Sequence, residues 1–385
     1  MSRYDVAVIG AGIHGASAAF HLATRGVRVV VFDMAVPAAG PTGRSSAVCR
    51  AYYTNPFLAG VARDSLTMFA NFGELTDGGD AGYRRTGSFF LHPVSDTAAV
   101  DQTAAQLVSL GVQVDVLSGA ALGDALTGFV LDDIATGVWE PNSGYADPAG
   151  TTVGLMSKAV SLGARLRTDA RVVMIGAGPG PISVTIGDGT VVEVDRLLVA
   201  AGPWTRPLLG RIGVDLPLTV ERHVVASYAW GTSSRVPFVF ADLTGRFYAK
   251  PDGVEQFQVG PLGAAPKVDP DNFDQSISLD ESVELAAAVV RRFPAAAEAE
   301  DRHGWASLYD VSPDWQPVIG EVADRVFVDA GTSGHGFKLG PAIGGHVADL
   351  VCGGAVDPGL AQFDPFRFSR GEELVGGFGA LRILG

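Results

Sequence analysis

Apolar and polar residues alternate along this chain in the rhythm of an α/β protein. Tyr4 to Ile9 is a short, mostly apolar run, the pattern of a strand buried on both faces. Gly10-Ala11-Gly12-Ile13-His14-Gly15 follows at once, and Ala16 to Ala23 reads as a small-residue helix ended by Gly26. Val27 to Phe32 is a second buried strand, closed by Asp33. Further on, the pattern predicts helices over 57–72, 103–111, 151–163, 282–293 and 343–351, and strands over 87–91, 164–166, 196–202 and 326–331. Residues 172–175, 182–186 and 191–194 read as a small meander turning at Gly187-Asp188-Gly189, while 217–230 and 247–259 are strand-rich. Residues 38–53, rich in Gly, Pro, Ser and Arg, read as a loop entering a helix. There is no internal repeat and no clear linker. Nucleotide-type strands recur at both ends and in the middle, so two domains are expected to be interleaved, one of residues 1–85, 146–218 and 316–385 and the other of 86–145 and 219–315.

The first turn carries the most chemistry. Gly10 permits a tight turn, Gly12 lets the backbone approach a pyrophosphate, and Gly15 lets the helix pack on the strand. The helix start offers unpaired N–H groups and the positive end of its dipole to phosphates. Asp33 stands 18 residues after Gly15, near the spacing of a carboxylate that accepts ribose hydroxyls. Glycines alone also mark plain turns; strand, glycines, helix, strand and acid in this order point to a dinucleotide.

Composition narrows the partners. With 28 Lys and Arg against 42 Asp and Glu, the net charge of −14 argues against nucleic acid or an anionic membrane as the main partner. Val6 to Ala23 is apolar but holds three glycines and two histidines, and strand-turn-helix explains it better than a signal or membrane segment. Two distant cysteines, Cys49 and Cys352, make no disulfide framework and fit a reducing cytoplasm. Seven histidines show no metal-ligand spacing, so no metal is expected. His14 reads as merely tolerated within the turn, and His223 as structural.

Four further segments resemble one family. Gly43-Arg44-Ser45-Ser46-Ala47-Val48-Cys49-Arg50-Ala51-Tyr52-Tyr53 resembles the flavin loop of the sarcosine oxidase β-subunit and its relatives. Leu198-Val199-Ala200-Ala201-Gly202-Pro203-Trp204 is similar to their V-x-A-A-G-x-W strand end, and Ser307 to Gly320 to their Y-D-x-[ST]-P-D segment. Gly331 to Ala342 is similar to their G-x-S-G-H-G-F-K segment. The chain thus resembles the D-amino-acid-oxidase-like flavoproteins, in the sarcosine oxidase branch, over nearly its whole length. The resemblance implies a glutathione-reductase-type FAD-binding α/β domain interleaved with an antiparallel-sheet substrate domain. It implies that Gly10, Gly12, Ile13, His14, Gly15 and Asp33 hold the ADP half of FAD, with Val172 a backbone contact to adenine. Gly43, Arg44, Ser45 and Ser46 are then expected at the pyrophosphate and ring, and Ala201, Gly202, Trp204, Gly334, His335, Gly336, Phe337 and Lys338 beyond it.

The same resemblance makes Arg50 and Lys338 a clamp for a substrate carboxylate, a guanidinium fork plus a point charge. Read from sequence alone, the plainer alternative for Arg50 is a surface cation or phosphate contact, and for Tyr309, which matches a pocket tyrosine, a core aromatic. Three departures matter. Ser307 stands where many relatives carry a cysteine linked to the flavin, so FAD is expected to be non-covalent. Cys49 reads as packing. Gln258 stands where the family often has a lysine that helps to reduce oxygen, with Lys250 more readily a strand-end surface lysine than its substitute. Tyr309-Asp310 favours the sarcosine over the glycine oxidase side. The expected activity is oxidation of an amino acid or N-substituted amino acid, amine to imine, with oxygen as acceptor. The alternatives are a dehydrogenase of an amine or 2-hydroxy acid using another acceptor, and a non-catalytic flavoprotein subunit. The chain is expected to be a monomer or a subunit of a larger oxidase.

Overall fold

The computed structural model describes residues 4–232, 235–376 and 378. Two eight-stranded sheets dominate it. The first runs in the order 318–323, 326–330, 191–199, 4–9, 29–32, 165–167. Tyr4–Ile9 lies parallel to both neighbours, with Val8 opposite Leu198 on one side and Val31 on the other. Val29–Phe32 and Val326–Ala330 are buried at every position, as strands covered on both faces must be.

The helix Ile13–Thr24 covers this sheet and is buried nearly all round, between Pro148–Ser161 and Gly336–Cys352. Small residues make that crowding possible. A Cβ on Gly344 would fall 2.2 Å from Ser17 Oγ, and one on Gly340 would fall 2.5 Å from Ile13 Cγ1.

The second sheet runs 300–311, 219–229, 256–261, 247–252, 239–242, 88–92, 136–140, 115–118, and all pairs are antiparallel except 88–92 with 239–242. The helix Leu279–Arg292, opened by a Ser278/Glu281 capping box, packs against it. The sheet's other side faces the loop 42–50. A two-stranded ladder, Val48–Cys49 with Gly144–Tyr145, ties that loop to the second sheet's own connection.

The elements differ from the sequence reading in instructive places. Residues 191–194 and 196–202 do not form two strands: Val191–Val199 is one strand whose first half pairs with 182–186 and whose second half pairs with 4–9. The last helix begins at Gly336 rather than 343 and runs through Pro341. Its glycines and proline read as loop by propensity, but the packing they permit outweighs that weakness. The loop 38–53 contains a 3₁₀ turn, Pro41–Arg44, and the short strand Val48–Cys49, and the next helix starts at Pro56 behind an Asn55 cap. The strands Thr136–Glu140, Val239–Asp242 and Glu300–Val311 had no distinct periodic signal.

Candidate active site

A cleft of about 480 Å³ opens between the carboxyl ends of the first sheet's parallel strands and the face of the second sheet. Its floor is the glycine turn. Gly10 adopts φ +107°, and a Cβ there would lie 2.2 Å from the Ala200 carbonyl oxygen. A Cβ on Gly15 would lie 1.9 Å from the Gly10 carbonyl oxygen, so strand, turn and helix close only with glycine at both positions. The helix N-cap, Gly12, offers no capping side chain, and only the Thr42 hydroxyl reaches in, accepting from Ile13 N–H at 3.2 Å. An anion can take the remaining donors. Asp33 accepts from Ala11 N at 2.6 Å and Ala35 N at 2.8 Å, which fixes its carboxylate on the wall and leaves lone pairs for hydroxyls.

Gly10, Gly12, Ile13, His14, Asp33, Arg44, Ser45, Ser46, Val172, Ala201, Gly202, Trp204, Gly334, Gly336 and Phe337 line this cleft, joined by Tyr309. Gly15 and Gly43 lie behind it as close-packing positions; a Cβ on Gly43 would meet the Ala38 carbonyl oxygen at 2.2 Å. At one end Trp204 Nε1–H donates to Asp271 at 2.9 Å beside Arg171 and Val172. At the other, Tyr309 stacks on His223 with centroids 3.8 Å apart, and Tyr248 donates to Ser46 Oγ at 2.8 Å. An uncapped helix start, a carboxylate for ribose, glycines under a flat space and aromatic walls fit FAD.

His14 is more than tolerated. Its Nδ1 lies 2.8 Å from both Asp329 oxygens and its Nε2 lies 3.0 Å from the Gly336 carbonyl oxygen. Burial pulls this imidazole down, but Asp329, helped by Asp310 and the Gly336 carbonyl, more than offsets it and the pKa rises. The residue thereby ties the first helix to the last.

Arg50, Lys338, Gln258 and His335 do not line the large cleft; they are buried beside it. Arg50 is 5% exposed, its guanidinium 4.3 Å over the Tyr53 ring and one arm donating to the Tyr52 carbonyl. Lys338 is 8% exposed and donates to the Gly334 carbonyl oxygen at 3.1 Å. Burial, then the nearby Arg50 charge, pulls its ammonium down to about 7, with Cys49 opposing. Two cations therefore share one dry place. His335 Nδ1 meets Tyr53 Oη at 3.1 Å, and its Nε2 has no partner among the described residues.

Glu140 was missed by sequence reading. It is 1% exposed and accepts from Ala51 N at 2.7 Å and Tyr52 N at 3.1 Å, pinning the backbone that follows Arg50. Burial pushes its carboxyl up to about 7, against the pull of those donors and Arg50. The available signal was no more than a lone acid directly after Val138-Trp139. Lys250 corrects the reading of a surface lysine. It is 4% exposed, because its strand lies inside the second sheet with this face toward the 42–50 loop. Its ammonium pairs with Asp252 at 3.1 Å and sits 4.3 Å over the Tyr145 ring. Cys49 is fully buried, as its reading as packing requires, and Ser307 lies on the cleft wall opposite His223.

Comparison with known proteins agrees with this geometry. Residues 5–350 match the family described as DAO, FAD dependent oxidoreductase. Monomeric sarcosine oxidase of Bacillus sp. (strain B-0618) is 24% identical over 97% of this chain and 98% of its own. The mitochondrial dimethylglycine dehydrogenase of Rattus norvegicus is 24% identical over 96% of this chain and 45% of its own. Among solved structures, L-proline dehydrogenase from P. horikoshii superposes with a TM-score of 0.87 at 22% identity, covering 97% of this chain and 100% of the other. Glycine oxidase from Geobacillus kaustophilus gives 0.83 at 22% identity, covering 95% and 99%. The glycine turn, the flavin-sized cleft and the match over residues 5–350 together make this chain a member of the DAO family of FAD-dependent oxidoreductases.

Proposed function

We propose that this enzyme oxidises an amino acid or N-substituted amino acid. The observation that carries the reading is the pair Arg50 and Lys338, two cations crowded in a buried place where the lysine is pushed down to about 7. A substrate carboxylate between them would relieve the repulsion and restore the lysine's charge. The relatives' names support the same chemistry, spanning sarcosine, dimethylglycine and glycine.

FAD held by the residues lining the cleft supplies a two-electron acceptor for the hydride on the carbon beside the amine. The protein's own work is placement. Arg50 and Lys338 hold the carboxylate, Glu140 holds the Arg50 backbone, and Tyr309 with His223 walls the reacting end. The buried chamber keeps bulk water away until the imine, formed as the amine also loses a proton, is released to hydrolysis. Ser307 cannot form a thioether and neither cysteine lines the cleft, which supports an FAD held without that bond.

Oxygen is proposed as the acceptor, supported by the buried Lys250 directly opposite Gln258 in the sheet register. The uncharged Gln258 itself favours the second reading, a dehydrogenase passing electrons to another acceptor. The substrate domain is proposed to comprise 86–145 and 219–315, and the FAD domain 1–85, 146–218 and 316–385. No helix of the described residues is long and apolar enough to cross a membrane. Two unpaired cysteines support a cytoplasmic setting.

Anaerobic titration of the purified protein with N-methyl and D- or L-amino acids tests the reading. Bleaching of the flavin absorbance by an amine acid, and not by the matching 2-hydroxy acid, is expected; no bleaching by any amine would sink it. Acid precipitation should leave yellow flavin in the supernatant, and flavin retained in the pellet would overturn the non-covalent assignment.

A further inference from the structure

Beyond the carboxylate clamp, the roof of the chamber carries a polar row that the amine-oxidising step above does not call on. Ser227, Gln258 and Lys250 are register partners across three adjacent strands of the second sheet. They lie on the face that carries Tyr248, which lines the cleft two residues before Lys250. The next row toward the cleft includes Gly260 and Tyr248, and Tyr248 and Val225 both stand on the cleft wall. Lys250 rests on the Tyr145 ring, and Tyr145 pairs with Val48 in the ladder that leads into Arg50, so the polar row and the clamp lie against the same loop.

The hydrogen bonds of this row are incomplete. Gln258 is 8% exposed and its Nε2 donates to Asp252 at 3.1 Å. That orientation is forced, because a carboxylate only accepts. Its Oε1 is then left buried with no partner among the described residues. Beside it, Lys250 gives one N–H to Asp252 and rests on the Tyr145 ring, which leaves a donor over. Asp252 already balances the lysine's charge. A spare acceptor and a spare donor thus stand on neighbouring strands as register partners, both tied to the same Asp252.

We infer that the substrate's side chain or N-substituent ends in an uncharged group that both donates and accepts, a hydroxyl or a carboxamide, bound between Gln258 Oε1 and Lys250 Nζ. A hydrocarbon end would leave both atoms unpaired in a dry place. A second carboxylate would satisfy the ammonium but set an anion against Oε1. The inference rests on the amino-acid-oxidising reading, since the clamp defines where the other end of the substrate lies.

Unreactive thioether acids test it on the FAD-loaded enzyme, by perturbation of the flavin spectrum. The probes are methylthioacetate, (propylthio)acetate, (carbamoylmethyl)thioacetate and thiodiacetate. The carbamoyl compound should bind about tenfold or more tighter than the propyl compound and than thiodiacetate. In Gln258→Met and in Lys250→Met these affinity ratios should fall to about 1. Equal affinities in the wild type, or tightest binding of thiodiacetate, would overturn the inference while the clamp stands. No response to any probe, methylthioacetate included, would overturn the clamp and this inference together. If one variant does not fold, the wild-type ratios and the other variant still decide.

Discussion

At the scale of single residues, charge in a dry setting decides most of the site's behaviour. Lys338 is pulled to about 7 by burial and by Arg50, so in the free enzyme its cationic form dominates below that pH and fades above it. A bound carboxylate favours the cation and must take up a proton when the pH is higher. The Kd of methylthioacetate should therefore be flat below about pH 7 and weaken by up to about tenfold per unit above it. Lys338→Met should remove that slope and cost about 2–4 kcal/mol of binding. A slope that survives in the variant would assign it to another group, Glu140 being the neighbour that titrates in the same range. Gln258 bears on the acceptor. Stopped-flow reoxidation compares wild type with Gln258→Lys: a slow wild type accelerated by the lysine supports the dehydrogenase reading. A fast wild type left unchanged shows that another cation, with Lys250 nearest in register, already serves developing negative charge.

Elements place these residues by reaching across the two sheets. Glu140 closes a strand of the second sheet yet bonds the backbone of the flavin loop, so it sets Arg50 from the opposite side of the chamber. Glu140→Gln keeps the size but gives up one of two acceptors, leaving a buried N–H unpaired at a cost of about 1–3 kcal/mol. Carboxylate affinity should fall while flavin content stays at wild-type level. Unchanged affinity in a spectral titration would show that Arg50 keeps its place without this anchor. His14 is the parallel case in the first helix, whose tie to Asp329 and Gly336 holds the start of the last helix against the cofactor's turn.

The whole molecule is closed by buried polar ties between distant segments. Arg367, near the end of the described chain, pairs bidentately with Asp314 at 2.8 Å, both side chains about 1% exposed. It also donates to the Gln316 carbonyl oxygen at 3.0 Å. Arg367→Met removes one partner and strands a buried carboxylate, so chemical denaturation should show a loss of about 3–5 kcal/mol. A loss below about 1 kcal/mol would mean that water reaches Asp314 once the arginine is gone.

Much of the cofactor half was legible from local pattern, because its requirements are local. The turn at Gly10 needs φ +107°, the N-cap at Gly12 must bring no side chain of its own, and Asp33 must follow the second strand, all within one contiguous stretch. The segments at 43–53, 198–204, 307–320 and 331–342 were legible as matches to a family, without their physics being read. Glu140, Asp329 and Lys250 were not legible in their roles, since each acts on a residue far along the chain or on a face that register alone assigns. A one-residue slip would turn Lys250 to the other side of its strand, and nothing in a chain read end to end specifies that register. The same holds for the last helix, where glycine and proline argue for a loop until Ser17 and Ile13 press against Gly344 and Gly340. Short-range sterics and hydrogen bonding shaped the nucleotide turn. Desolvation and cross-strand neighbours, which exist only after folding, shaped the charges of the proposed clamp.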